Sequence, residues 1–129
     1  MGLHRRCKAS TRERGQGAED WAALLLQRHG WTVLARNWWC RWGELDLVLA
    51  KPRRLLLVEV KARRRSGRDG GGVAAFGVIK RRRLARAWAC WLAAHPHLGD
   101  RPVEVVLALV PLPVGLDAVR WLRIEAGLG

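Results

Sequence analysis

From Gly15 to His29 apolar residues recur at three- and four-residue steps, with Ala18, Trp21, Ala22, Leu25 and Leu26 on one stripe and Gly30 as a stop. That spacing predicts an amphipathic helix. Trp31 to Asn37 reads as a strand, and Asn37 to Gly43 as a short aromatic connection carrying Trp38, Trp39 and Trp42. Two runs rich in Leu and Val then flank Lys51-Pro52-Arg53-Arg54, the pattern of a β-hairpin with Pro52 presetting the turn. A second helix is predicted from about Val73 to Ala94, with Ile79, Leu84, Ala87, Trp88, Trp91 and Leu92 as its stripe. Val103 to Val110 is almost continuously apolar, as in a strand covered on both faces, with Glu104 interrupting its start. Ala118 to Ile124 ends the pattern as a last strand or a strand-to-helix transition. The order is helix, three strands, helix, strand. A helical crossover returns the chain parallel to the strand it left, so the sheet is expected to be mixed.

The hairpin centre falls between Pro52 and Arg53, which sets Asp46 opposite Glu59 and Glu44 opposite Lys61. Strict alternation puts Leu45, Leu47, Leu49, Leu56, Val58 and Val60 on one aliphatic face. The other face carries Val48, Ala50, Leu55 and Leu57 near the turn and Glu44, Asp46, Glu59 and Lys61 at the far end. Directly opposed side chains lie about 5 Å apart, and like charges placed there repel. Asp46 against Glu59 therefore calls for a cation.

At 129 residues, half of them hydrophobic, the chain suffices for one domain with a real core. Residues 1–14, with Arg5, Arg6, Lys8, Arg12 and Arg14, read as a flexible basic arm ahead of a single domain over 15–129. Twenty Arg and four Lys against eleven carboxylates give a formal charge of +13, which predicts attraction to polyanions. Nucleic acid is the leading partner, DNA ahead of RNA, and an anionic membrane surface is the rival. Arg63, Arg64, Arg65 and Arg68, in a Gly-rich stretch after Lys61, and Lys80, Arg81, Arg82 and Arg83 on the second helix are the candidates for gripping phosphates. No apolar run approaches the roughly 20 residues of a membrane span, and no signal-peptide core follows the basic start, so a cytoplasmic protein is expected. Cys7, Cys40 and Cys90, odd in number and widely spaced, indicate neither a zinc site nor a disulfide framework.

Two carboxylates and a lysine on one hairpin suit metal-dependent phosphodiester hydrolysis. Asp46 and Glu59 would hold Mg²⁺ or Mn²⁺, with the Val60 carbonyl as a further oxygen and Glu19 reaching in from the first helix. Lys61 would orient or deprotonate the attacking water, and Glu44 would position Lys61 as its ion-pair partner. The bland alternative is a surface ion-pair cluster, against which stands its location inside two of the most apolar segments of the chain. The tryptophans could stack on bases, although filling or capping a core is the more ordinary use of such residues.

Asn37, the run Gly43-Glu44-Leu45-Asp46-Leu47, Val58-Glu59-Val60-Lys61 followed by Arg63, and Lys80 together resemble the YraN family of bacterial proteins. That family is placed in the PD-(D/E)xK nuclease superfamily and is similar to archaeal Holliday junction resolvases. The resemblance covers residues from about 15 to 124. It implies a restriction-endonuclease-like αβββαβ core, with a mixed central sheet flanked by helices. It makes Asp46, Glu59 and Lys61 the nuclease signature and Glu19 the helix carboxylate that assists metal binding. Where the family usually opens its fourth strand with Arg-Phe-Asp, this chain has Pro102-Val103-Glu104. The implied activity is a Mg²⁺- or Mn²⁺-dependent endonuclease acting on DNA, branched or structured DNA included. A homodimer is expected by analogy, because a resolvase needs two sites. A nucleic-acid-binding module with an unused nuclease-like site is the alternative, and a membrane-surface or protein-interaction role is a third.

Overall fold

The computed structural model describes residues 11–64 and 77–124. Helix α1 spans Thr11–Arg28 and starts ahead of the predicted Gly15. The apolar stripe begins at Ala18, and the polar residues ahead of it leave no periodic signal to extend the prediction. The predicted arm thus loses Thr11 to Arg14 to the helix, and its residues 1–10 lie outside the described residues. Gly30, at φ 92, closes α1 as its sequence position suggests. The Gly30 amide donates to the Gln27 carbonyl at 3.0 Å and the Trp31 amide to that of Leu26 at 3.1 Å, the paired bonds of a Schellman stop.

Five strands form one sheet in the order β1-β2-β3-β4-β5: β1 Thr32–Cys40, β2 Gly43–Lys51, β3 Arg54–Arg64, β4 Val103–Leu112 and β5 Arg120–Arg123. Helix α2, Val78–Ala94, makes the crossover that leaves β3 and β4 parallel, while the other neighbours are antiparallel. The expected mixed sheet is therefore present, and the C-terminal segment is a strand. Two boundaries differ from the sequence pattern. β1 runs on through the aromatic connection to Cys40, because Trp38 pairs with Leu45 and packs into the core, leaving Arg41 and Trp42 as the turn. β3 continues past Lys61, because its parallel ladder with β4 holds as far as Arg64 opposite Leu112. The predicted basic loop accordingly loses Arg63 and Arg64 to the strand; Arg65, Arg68 and the Gly-rich remainder lie outside the described residues.

The two helices cover opposite faces. Ala22, Ala23 and Leu26 of α1 pack on Leu47, Leu49, Leu56, Val58, Val106 and Ala108. Leu84, Ala87, Trp88 and Trp91 of α2 pack on Val48, Ala50, Leu55, Leu57 and Val105. Ile79, expected in the α2 stripe, is 70% exposed. The helical repeat places Lys80, one turn before Leu84, on the sheet-facing side in its stead.

Strand alternation breaks in β1 at a bulge between Val33 and Ala35 and again, in β1 and β2 together, at Asn37 and Asp46, and this second break builds the site. Leu45 joins Val48 and Ala50 on the α2 side, whereas Leu47 and Leu49 face α1, so the expected grouping of Leu45 with Leu47 fails. β1 breaks in step. Ala35 and Trp38 both pack on the α2 side, while Arg36 and Asn37 both reach α1, pairing with Asp20 and Glu19 respectively. The switch in β1 falls at Asn37, which has φ 48. Asparagine tolerates this left-handed conformation better than other residues with a Cβ. Glu44 and Asp46 are turned toward α1 as a result, not toward the face of Val48 as strict alternation implied.

Candidate active site

The β2–β3 ladder follows the predicted register from Lys51↔Arg54 to Leu47↔Val58 and stops there. Asp46 and Glu59 come next, and they do not simply face each other. The Val60 amide donates to Asp46 Oδ2 at 2.8 Å, and the Asp46 amide lies 3.4 Å from Glu59 Oε2. Each carboxylate thus satisfies the other strand's backbone where ladder bonds have ended. Val60, expected to offer its carbonyl, contacts Asp46 through its N–H.

Ligand oxygens of Glu19, Glu44 and Asp46 all lie within 4.8 Å of one another. Glu19 comes from the first half of α1, Glu44 and Asp46 from the start of β2. Asn37 holds the first two together: its Nδ2 donates to Glu19 Oε1 at 2.6 Å and to Glu44 Oε2 at 2.7 Å. Glu44 was expected to pair with Lys61. Among the described residues it makes no such ion pair, because the break in alternation turns it to the α1 side and Asn37 takes its oxygen. Asn37 itself is the residue that reasoning from charge and spacing passed over. The available signal was an Asn inside a β-branched and aromatic run, where strands disfavour it unless the backbone does something unusual.

Glu59 is the one buried charged residue among those described, 3% exposed. Its Oε1 lies 3.8 Å from Lys80 Nζ, so Lys80 leans toward the sheet. Burial, and then the charge of Asp46, push the Glu59 carboxyl up to about 8. The Lys80 ammonium opposes this and only partly offsets the desolvation. Burial likewise raises Asp46, against the Val60 N–H that favours its ionised form. Glu19 is raised to about 7, chiefly by burial, against the hydrogen bond from Asn37. Lys61 is lowered by burial and by the neighbouring Lys80 charge, and Glu59 and Asp46 pull it back up. The end of the hairpin thus gathers four acids and two lysines, and burial strains the ordinary protonation states of Glu19, Asp46, Glu59 and Lys61.

A cavity of about 500 Å³ opens on Glu19, Asn37 and Glu44 beside Trp39, and one of about 300 Å³ on Val60, Lys61, Arg63 and Arg64. Arg63 and Arg64 therefore sit at the rim of the site, with Arg63 donating to the Ala62 carbonyl at 3.1 Å. Arg82 and Arg83 are exposed on α2, and Arg81 is partly buried. Trp38 and Trp42 pack against the core, in line with the ordinary use of such residues, while Trp39 remains 68% exposed. Glu104 pairs with Arg123.

The acids fit a hard divalent cation. Three carboxylates offer oxygen donors only, which suits Mg²⁺ or Mn²⁺ over softer metals. Their mutual closeness also concentrates negative charge, which the Asn37 amide on Glu19 and Glu44 and the Val60 N–H on Asp46 offset in part.

Fold and site define a restriction-endonuclease-like α/β core with an acidic cluster where its central hairpin opens. The chain belongs to the uncharacterised protein family UPF0102, whose model matches residues 18–110; this YraN-like family is a member of the PD-(D/E)xK-like nuclease superfamily. It is similar to a UPF0102 protein of Synechococcus sp. strain CC9902, with 57% identity over 111 residues, covering 86% of this chain and 92% of the relative. A UPF0102 protein of Prochlorococcus marinus strain MIT 9303 is 50% identical over 116 residues, covering 90% and 91%. One from Bordetella avium is 43% identical over 109 residues, covering 84% and 71%.

Proposed function

We propose that this protein is a Mg²⁺- or Mn²⁺-dependent endonuclease that hydrolyses phosphodiester bonds in DNA, branched or otherwise structured DNA included. The observation that carries the reading is the group of Glu19, Glu44 and Asp46 oxygens within 4.8 Å of one another, beside Glu59 and its lysines. Those three acids would hold the ion, and Glu59 lies against the Asp46 backbone. A bound ion supplies a water of lowered pKa and neutralises charge on the phosphate. Lys61, its proton affinity reduced by burial and by Lys80, takes a proton from the attacking water. Lys80, 3.8 Å from Glu59, faces the phosphate oxygens as the phosphorus–oxygen bond breaks. Asn37 orients Glu19 and Glu44. Arg63, Arg64, Arg65 and Arg68, with Arg81, Arg82 and Arg83, contact phosphates to either side, and a homodimer would present two such sites to a branched substrate.

The test is cleavage of linear, single-stranded and four-way DNA with each metal. Wild type is expected to cut at least one, and Glu59→Ala to cut none. Equal cleavage by the two proteins removes this site. A second reading, a DNA-binding module without catalysis, draws on the absence of Glu59 from the three-acid group. Salt-steep, metal-independent binding with no product under any condition would favour it.

A further inference from the structure

Trp39 lies on β1, the edge strand of the sheet, and pairs with Glu44. It is 68% exposed and lines the cavity of about 500 Å³ that also opens on Glu19, Asn37 and Glu44. Its neighbours Trp38 and Trp42 are packed against the core, so the strand had apolar places to put a ring and left this one out. Among the described residues no aromatic ring or cation stacks on Trp39. A large π-surface beside acids that could hold a metal ion offers a place for a flat apolar ligand.

The turn that follows β1 carries a second, independent feature, packed on the α2 side of the sheet where Trp39 opens on the α1 side. The Trp42 ring has the Arg41 guanidinium 4.6 Å from its centroid and that of Arg86 at 4.5 Å. Two cations drawn to one ring repel each other, and among the described residues neither has a carboxylate partner. An anion bound between them would relieve this, and guanidinium groups match the oxygens of a phosphate.

A nucleic-acid strand that passes around the end of this hairpin would offer a flat base to one face and a phosphate to the other. We propose that Trp39 stacks on an unpaired nucleobase of the DNA substrate and that Arg41 and Arg86 take a phosphate of the same strand. The reading rests on the nuclease proposal for the role of the neighbouring acids, and it narrows the substrate class. Inside an intact duplex both faces of each base are covered by neighbouring bases, so away from its ends ring-on-base stacking requires unpaired nucleotides. Gaps, flaps and junction ends supply them.

The experiment measures binding, without divalent ions, of oligonucleotides carrying 2-aminopurine in three forms: single-stranded, gapped duplex and blunt duplex. Wild type is expected to quench the fluorescent base in the first two. Trp39→Ala is expected to weaken their binding roughly 5- to 150-fold, the loss of one stacking contact, and to leave the blunt duplex almost unchanged. Trp39→Phe should retain part of the affinity, and circular dichroism of both variants should match wild type because the side chain is exposed. Unchanged binding by Trp39→Ala, or an equal loss on all three forms, overturns the proposal. Because no metal is present, the result does not depend on cleavage. A protein that never cuts DNA can still pass this test, and an active nuclease can still fail it.

Discussion

Glu59 gives the sharpest test of the site's electrostatics. Folding carries its carboxyl from water to a place where it is 3% exposed, and moves its pKa from 4.5 to about 8. Between those values the folded chain binds a proton that the unfolded chain has released. Stability of the metal-free protein must therefore fall as pH rises through this window. The contribution is fully present below 4.5 and is lost above 8. Each tenfold change in proton affinity corresponds to about 1.4 kcal/mol, so the loss across the window amounts to a few kcal/mol. That is a large share of the roughly 5 to 15 kcal/mol that holds a domain of this kind together. Glu59→Gln replaces the carboxyl by a neutral group of the same shape. Urea unfolding in chelator should find variant and wild type of similar stability at pH 5, with the variant gaining by at least about 2 kcal/mol at pH 8. A difference between the two proteins that does not change with pH would falsify the claim that burial governs this group.

Asn37→Ala removes two hydrogen bonds to carboxylates and leaves a left-handed backbone to a residue that resists it, so a loss of roughly 2 to 4 kcal/mol is expected in urea unfolding. Asn37→Gly, free of the backbone cost, should lose less, and a reversed order would contradict the strain at this position. Mn²⁺ at a hundredfold excess over its dissociation constant should stabilise wild type by about 2.7 kcal/mol and Asp46→Asn by far less; equal thermal shifts would place the ion elsewhere. Single-turnover cleavage should rise with pH as Lys61 loses its proton, and Lys61→Arg, which keeps the charge but accepts no proton, should cost about 10²- to 10⁴-fold. Full activity in that variant would remove Lys61 as the base.

The hydrophobic pattern by itself determined the order of elements, the mixed sheet, and the register of the hairpin from Leu47↔Val58 to Lys51↔Arg54. These follow from local rules: side-chain periodicity, a turn that centres the hairpin, and a helix that forces a parallel return. The identity of the acids and lysines was also legible, since charges set inside apolar strands are rare without a use. How those groups meet was not. Alternation assumes a regular strand, and only packing against both helices decided that β1 and β2 would break together at Asn37 and Asp46. That break sends Leu45 to α2 and Glu44 and Asp46 to α1. It brings Glu19, distant in sequence, within reach of them, and leaves Glu59 with Lys80 from a helix that follows later in the chain. A chain can announce which groups it will bring together through their local cost, but their mutual geometry depends on where distant surfaces find room to pack.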